Sequence, residues 1–134
     1  MSADKDIEIL ADNFQYSKIS EKLKVYGDAT ILINSTNLKV EFDEGVIDQK
    51  NFLFQSEKDV ELYDFSNNIK INSKKIIYNK SDNILRSSSK SIITDIFGNR
   101  SIADSFTYEI NNNLFKIKNL DFYDKEDNNL KLSL

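Results

Sequence analysis

The 134-residue chain contains no cysteine, no histidine and no proline. Without cysteine there is neither a disulfide framework nor thiolate chemistry. Without histidine the commonest general base is gone, and so are a Ser-His-Asp triad and the usual kind of zinc site. No apolar run approaches the ~18 residues of a membrane-spanning helix. A surplus of basic charge is also missing. Lys and Arg number 18 against 22 Asp and Glu, a net charge of −4, and the pI is about 4.9. A general nucleic-acid binder would carry a basic face and a high pI, so no nucleic-acid partner is expected. The opening "MSADKDIEIL" has neither the basic stretch nor the continuous apolar stretch of a secretory signal.

What is present describes a globular domain. Apolar residues make up 40% and charged residues 30%, and a chain of this length can bury roughly two thirds of its unfolded surface. One domain over residues 7–134 is expected, preceded by a disordered or non-native leader over 1–6. Paired carboxylates could in principle support acid–base chemistry, but no pair stands out, and no enzyme is expected. "DKEDNN" at 124–129 lacks the spacing and the glycine of a calcium loop, so no metal is expected either.

The chain repeats itself. "IEILADNFQYSKISEKLKVYGDATILINSTN" (7–37) is followed by three related segments at 38–68, 69–100 and 101–129, and "LKLSL" begins a fifth. Ile7 and Ile9 correspond to Leu38 and Val40, to Ile69 and Ile71, and to Leu130 and Leu132. Tyr16 corresponds to Ile47, Tyr78 and Tyr108, and Leu23 to Phe54, Leu85 and Phe115. A fixed period of about 31 residues signals stacked supersecondary units.

Within each unit the apolar period is two. "IEIL", "VELY", "IKIN" and "LKLSL" alternate apolar and polar residues, the mark of half-buried strands. Polar turn clusters such as "NSTN", "DFSNN" and "NKSDN" separate them. The expectation is an all-β protein of roughly eight long strands, with at most one helical turn, near the N-terminus. In "IEILADNFQY" the apolar parity switches between Ala11 and Phe14. The same switch falls between Ser73 and Ile76 and between Ala103 and Phe106. A strand cannot change parity without an irregularity, so a bulge or bend is expected near Ala11-Asp12, Ser73-Lys74 and Ala103-Asp104.

Apolar alternation, Ala-Asp, apolar-x-Tyr, a polar turn, then Leu-x-x-x-Gly-x-Ala and further alternation resembles the OstA-like module. That module is shared by the lipopolysaccharide transport proteins LptA and LptD. The pattern is complete in "LADNFQYSKISEKLKVYGDATI" from Leu10 to Ile31. "IADSFTYEINNNLFKIKNL" from Ile102 keeps Ala-Asp and Tyr. "NSKKIIYNKSDNILRSSSKSII" from Asn72 has Ser73-Lys74 for Ala-Asp and Ser89 for the glycine. The second unit has Phe42-Asp43 and no Tyr. The resemblance implies a twisted antiparallel β-jellyroll, two sheets in a V, here of about four hairpin repeats. It implies a periplasmic location at the outer membrane and lipopolysaccharide as ligand, with the acyl chains of lipid A in an apolar groove. It also implies a neighbouring Lpt jellyroll docked edge to edge, an outer-membrane barrel in the same or a partner chain, and no cofactor. The unfinished fifth unit fits the N-terminal periplasmic module of LptD better than a free-standing LptA-like bridge. The absence of cysteine departs from LptD proteins with disulfides, which puts redox coupling in question and not the fold.

On this resemblance the groove lining would comprise Ile9, Phe14, Tyr16, Leu23, Val25, Ile31, Ile33, Val40, Phe42, Phe54, Leu62, Ile71, Tyr78, Leu85, Ile93, Phe106, Tyr108 and Phe115. An ordinary closed core would use the same residues. Docking edges are expected around Ile7, Ile9 and Ala11 at one end, and around Leu130, Leu132 and Leu134 at the other. Lys74, Lys75, Arg86, Lys90 and Arg100 could meet lipid phosphates at a groove rim or simply lie on solvated strand faces. A structural β-repeat module without lipid is the alternative from a different class.

Overall fold

Alternating β-branched and aromatic residues with polar ones favour a pleated surface buried on one side, and the chain is built of such strands almost throughout. The computed structural model describes residues 6–56 and 58–132. Among these, thirteen strands are β1 (Ile7–Leu10), β2 (Asn13–Ser17), β3 (Lys22–Ile33), β4 (Leu38–Asp48), β5 (Leu53–Ser56), β6 (Val60–Asp64), β7 (Ile69–Ser73), β8 (Ile76–Asn79), β9 (Ile84–Ser87), β10 (Ser91–Asp95), β11 (Arg100–Glu109), β12 (Leu114–Tyr123) and β13 (Asn129–Leu132). All pairings are antiparallel. The strand starts at Ile7, Leu38, Ile69 and Arg100 keep the spacing of the sequence period.

The strands form one hydrogen-bonded network that divides into two layers. In the first layer the order is β1, the second half of β3, the first half of β4, β6, β7, β10, the first half of β11, the second half of β12, and β13. The second layer runs β2, the first half of β3, the second half of β4, β5, β8, β9, the second half of β11 and the first half of β12. The long strands β3, β4, β11 and β12 therefore cross from one layer to the other. This is the all-β structure expected from the alternation, in the jellyroll arrangement that the resemblance implies.

A line of irregularities marks the bend between the layers. β1 and β2 are separated at Ala11-Asp12, and β7 and β8 at Lys74-Lys75, where breaks were expected. β11 behaves differently, since its pairing with β12 runs on without a shift past Asp104. Both strands of that hairpin change face together. Asn119, opposite Asp104, takes a φ of +55°, and its side-chain amide donates to the Asp104 carboxylate at 3.0 Å. The register shift lies instead in β3, between Tyr26 and Ala29, where Gly27 has φ +85°. A Cβ on Gly27 would stand 2.8 Å from the Cβ of Asp12. Gly27→Ala should therefore cost about 1–2 kcal/mol from backbone strain alone, read as a lower urea midpoint at unchanged slope. Among the described residues the one helical turn lies at Ile110–Asn112, far along the chain from the expected N-terminal position. It closes the β11–β12 hairpin through Asn113, which accepts the left-handed conformation that such a turn needs.

Two of the hairpin turns share one chemistry. Asp95 Oδ1 accepts from the backbone N–H groups of Phe97 and Asn99 at 2.9 and 3.0 Å, and Oδ2 accepts from the Asn99 amide at 2.8 Å. Asp124 repeats the arrangement with Glu126 and Asn128. These bonds hold the Asp124 carboxyl below its ordinary range, the Asn128 side chain contributing most. "DKEDNN" thus works as a turn. At the start of the described chain the Asp6 carboxylate accepts from the backbone N–H and hydroxyl of Ser35, both at 2.6 Å.

Candidate functional site: an apolar interior exposed at both ends

Paired residues of neighbouring strands share a face, so the register shows what the repeated residues build. In the second layer Tyr16, Leu23, Ile47, Phe54, Tyr78, Leu85, Tyr108 and Phe115 pair in succession across eight strands. This is one row, about 34 Å long at ~4.8 Å per strand, made of the residues that recur in the sequence. In the first layer Ile9, Ile31, Val40, Leu62, Ile71 and Ile93 form the matching row. It continues through Ser101 and Phe122 to Leu130.

The rows face each other and their middles are closed. Of the residues expected to line a groove, all but Phe14, Tyr16 and Phe115 are buried between the layers, and Phe115 packs partly buried against them. Contacts cross between layers: the Phe42 and Phe54 rings lie 4.7 Å apart. Tyr108 and Phe115 stack along the second layer at 3.9 Å. Gly45 makes room for the first pair, because a Cβ there would stand 2.6 Å from Phe54.

At the ends the same inner face is uncovered. Phe14 and Tyr16 pair with Val25 and Leu23, both buried, yet are 42% and 52% exposed. At the other end Leu130 and Leu132 pair with Phe122 and Leu120 and are 55% and 54% exposed. The expected edge residues Ile7 and Ile9 are buried and Ala11 packs against the core, whereas Leu134 lies outside the described residues. Sequence reasoning placed the first edge on β1 alone. Among the described residues β2 is the corresponding end strand of the second layer, and its fully exposed pattern is what alternation could not reveal.

Polar contacts tie the layers together along the rim opposite the bend. Tyr108 Oη donates to Asp64 Oδ2 at 2.5 Å, and the Asn67 amide donates to Asp64 Oδ2 at 2.8 Å and to Tyr108 Oη at 2.9 Å. Asp64 ends β6 and Asn67 lies in the β6–β7 turn, both in the first layer, whereas Tyr108 belongs to the second. Asp64 and Tyr108 are both buried. Burial, then the neighbouring carboxylate, pushes the Tyr108 hydroxyl above the ordinary tyrosine value. At the bend, hydroxyls fill the crowded inner corner, with Ser73 Oγ 3.0 Å from Ser87 Oγ and 2.9 Å from Ser91 Oγ.

The basic residues singled out in the sequence are divided. Lys74 and Lys90 border an outer hollow of about 890 Å³, shared with Asp28, Glu41, Asp43, Asp59 and Glu61. Lys75 and Arg86 border a second outer hollow of about 520 Å³. Arg100 pairs with Asp127 at 2.5 Å. Among the described residues no cluster of acidic side chains is placed to hold a metal ion.

No protein-family model and no curated protein sequence matches this chain. Its fold is that of the crystal structure of LptH, described as the LptA homologous periplasmic component of the conserved lipopolysaccharide transport device from Pseudomonas aeruginosa. The match has a TM-score of 0.72 at 14% identity, and covers 84% of this chain and 81% of that one. At that identity the likeness establishes a common LptA-like β-jellyroll.

Proposed function

We propose that this chain is a lipid-conducting module of lipopolysaccharide transport in the periplasm. The apolar interior shelters lipid A acyl chains, and the end strands dock a neighbouring jellyroll. One observation carries the reading: the largely apolar inner face spans both layers, and among the described residues it is uncovered on β2 and on β13. Each CH₂ moved out of water contributes about 0.8 kcal/mol, and end strands offer main-chain hydrogen bonds for β-augmentation. The jellyroll shared with LptH supports the assignment. A free-standing LptA-like bridge and the N-terminal module of LptD, next to an outer-membrane barrel, are two settings for the same physical device.

Photo-cross-linkers at Phe14, Tyr16, Leu130 and Leu132, with an outward control at Lys24, test the reading on the purified chain. Adducts with lipopolysaccharide at the four positions and not at the control are expected. Labelling equal to the control at all four would leave a structural β-repeat module.

A further inference from the structure

The net charge of the chain is −4, yet the 520 Å³ hollow on the outer side of the second layer is lined by Lys75, Arg86, Lys116 and Lys118 and by no carboxylate. The larger hollow, by contrast, mixes its two lysines with five acidic residues. The register explains how the cations meet. Arg86 pairs with Thr107, which pairs with Lys116, so two cations stand two strands apart, about 10 Å, with a hydroxyl-bearing residue between them. Lys118 follows Lys116 on the same face of β12, opposite Ser105. Lys116 has a partner, Glu109, at 3.2 Å. Among the described residues no carboxylate lies within ion-pair reach of Lys75, Arg86 or Lys118, whereas Lys24, Lys39, Lys58 and Lys70 all have one. Like charges gathered on one face of a sheet repel one another, and an arriving counter-charge relieves that repulsion.

We propose that this hollow is a binding site for phosphate-class oxyanions. Arg86 supplies the planar fork that matches a phosphate, and the lysines supply mobile point charges around it. Ser88, Ser105 and Thr107 add hydroxyl donors at the lining, and apolar atoms of Ile77, Phe106 and Ile117 lower the local dielectric. The oxyanion could reach the site as a soluble phosphate or as the head group of an anionic lipid. The site lies outside the interior and does not depend on what the interior holds.

The test uses the full chain, the triple variant Lys75→Gln/Arg86→Gln/Lys118→Gln, and a charge-matched control, Lys18→Gln/Lys22→Gln/Lys50→Gln. Inorganic pyrophosphate should shift the backbone amide signals of Arg86, Thr107 and Lys116. The triple variant should bind at least about tenfold more weakly and the control like the parent, with binding lost in about 1 M salt. Co-sedimentation with phosphatidylglycerol–phosphatidylcholine vesicles, compared with phosphatidylcholine alone, identifies the source. Vesicle binding that the triple variant loses assigns the site to a lipid head group, and pyrophosphate binding alone assigns it to a soluble phosphate. No pyrophosphate shifts at these amides, or equal affinity in the triple variant and the control, would overturn the proposal.

Discussion

Phe54→Ala should lower stability by about 3–5 kcal/mol, a fall in Tm of about 10–20 °C for a domain of this size. Phe54 is 1% exposed in the middle of the second-layer row and packs against Phe42 of the other layer. Gly45 beneath it has no side chain to move into the space, so the lost volume remains as a cavity. Collapse is restricted further because strands on both sides hold their register, Phe54 pairing with Ile47 and Tyr78. A urea melt of Phe54→Ala beside Phe54→Leu checks this. A loss below about 1.5 kcal/mol for the alanine variant would mean that the interior is loosely filled and adapts its spacing.

Tyr108→Phe is the second large effect, about 2–3 kcal/mol, because it removes a hydrogen bond to a buried carboxylate and leaves Asp64 with fewer donors. The variant also changes the alkaline limb of the stability curve. The hydroxyls of Tyr78 and Tyr108 are both raised, burial being the first cause in each. The folded chain therefore holds these protons more tightly than the unfolded chain. Their contribution is complete below the unfolded value near pH 10 and is lost as pH rises above it. Removing one of the two groups should make that loss shallower by one proton, measurable from urea midpoints between about pH 9 and 11. Under the transport reading the same substitution loosens the rim where the two layers meet. Lipid uptake into the interior should then rise while stability falls, and a parallel decrease in both would detach Tyr108 from any role in opening.

Much of the interior was legible because one row uses the same residue classes at each turn of the repeat. Tyr16, Tyr78 and Tyr108 align by eye, as do Leu23, Phe54, Leu85 and Phe115, and antiparallel pairing then places them side by side. Strand length was less legible. Eight long strands were expected, but only β3, β4, β11 and β12 run through the bend. Elsewhere "KD" at 58–59, "KK" at 74–75 and "SSK" at 88–90 interrupt the ladder. Hairpin partners that bend together keep their hydrogen bonds, and parity alone does not say which will do so. The contact of Asp64 with Tyr108 had no signal, since "DFSNN" reads as an ordinary turn and its partner lies 44 residues away. The cationic hollow was half visible: Lys75 and Arg86 were singled out, but Lys116 and Lys118 join them only through the register of β12.

Each strand pairs with strands of its own unit or of the units immediately before and after it. The molecule is therefore a one-dimensional chain of coupled segments, not a body with a single centre. In such a chain opening starts at the ends and each step inward must break a full interface. Amide protons of β2 and β13 should exchange first, those of β5 and β8 last, with a graded order between them. A substitution such as Phe54→Ala would then do more than subtract a fixed energy from the whole. It would weaken the link between the two halves of the array, so that each half begins to melt on its own.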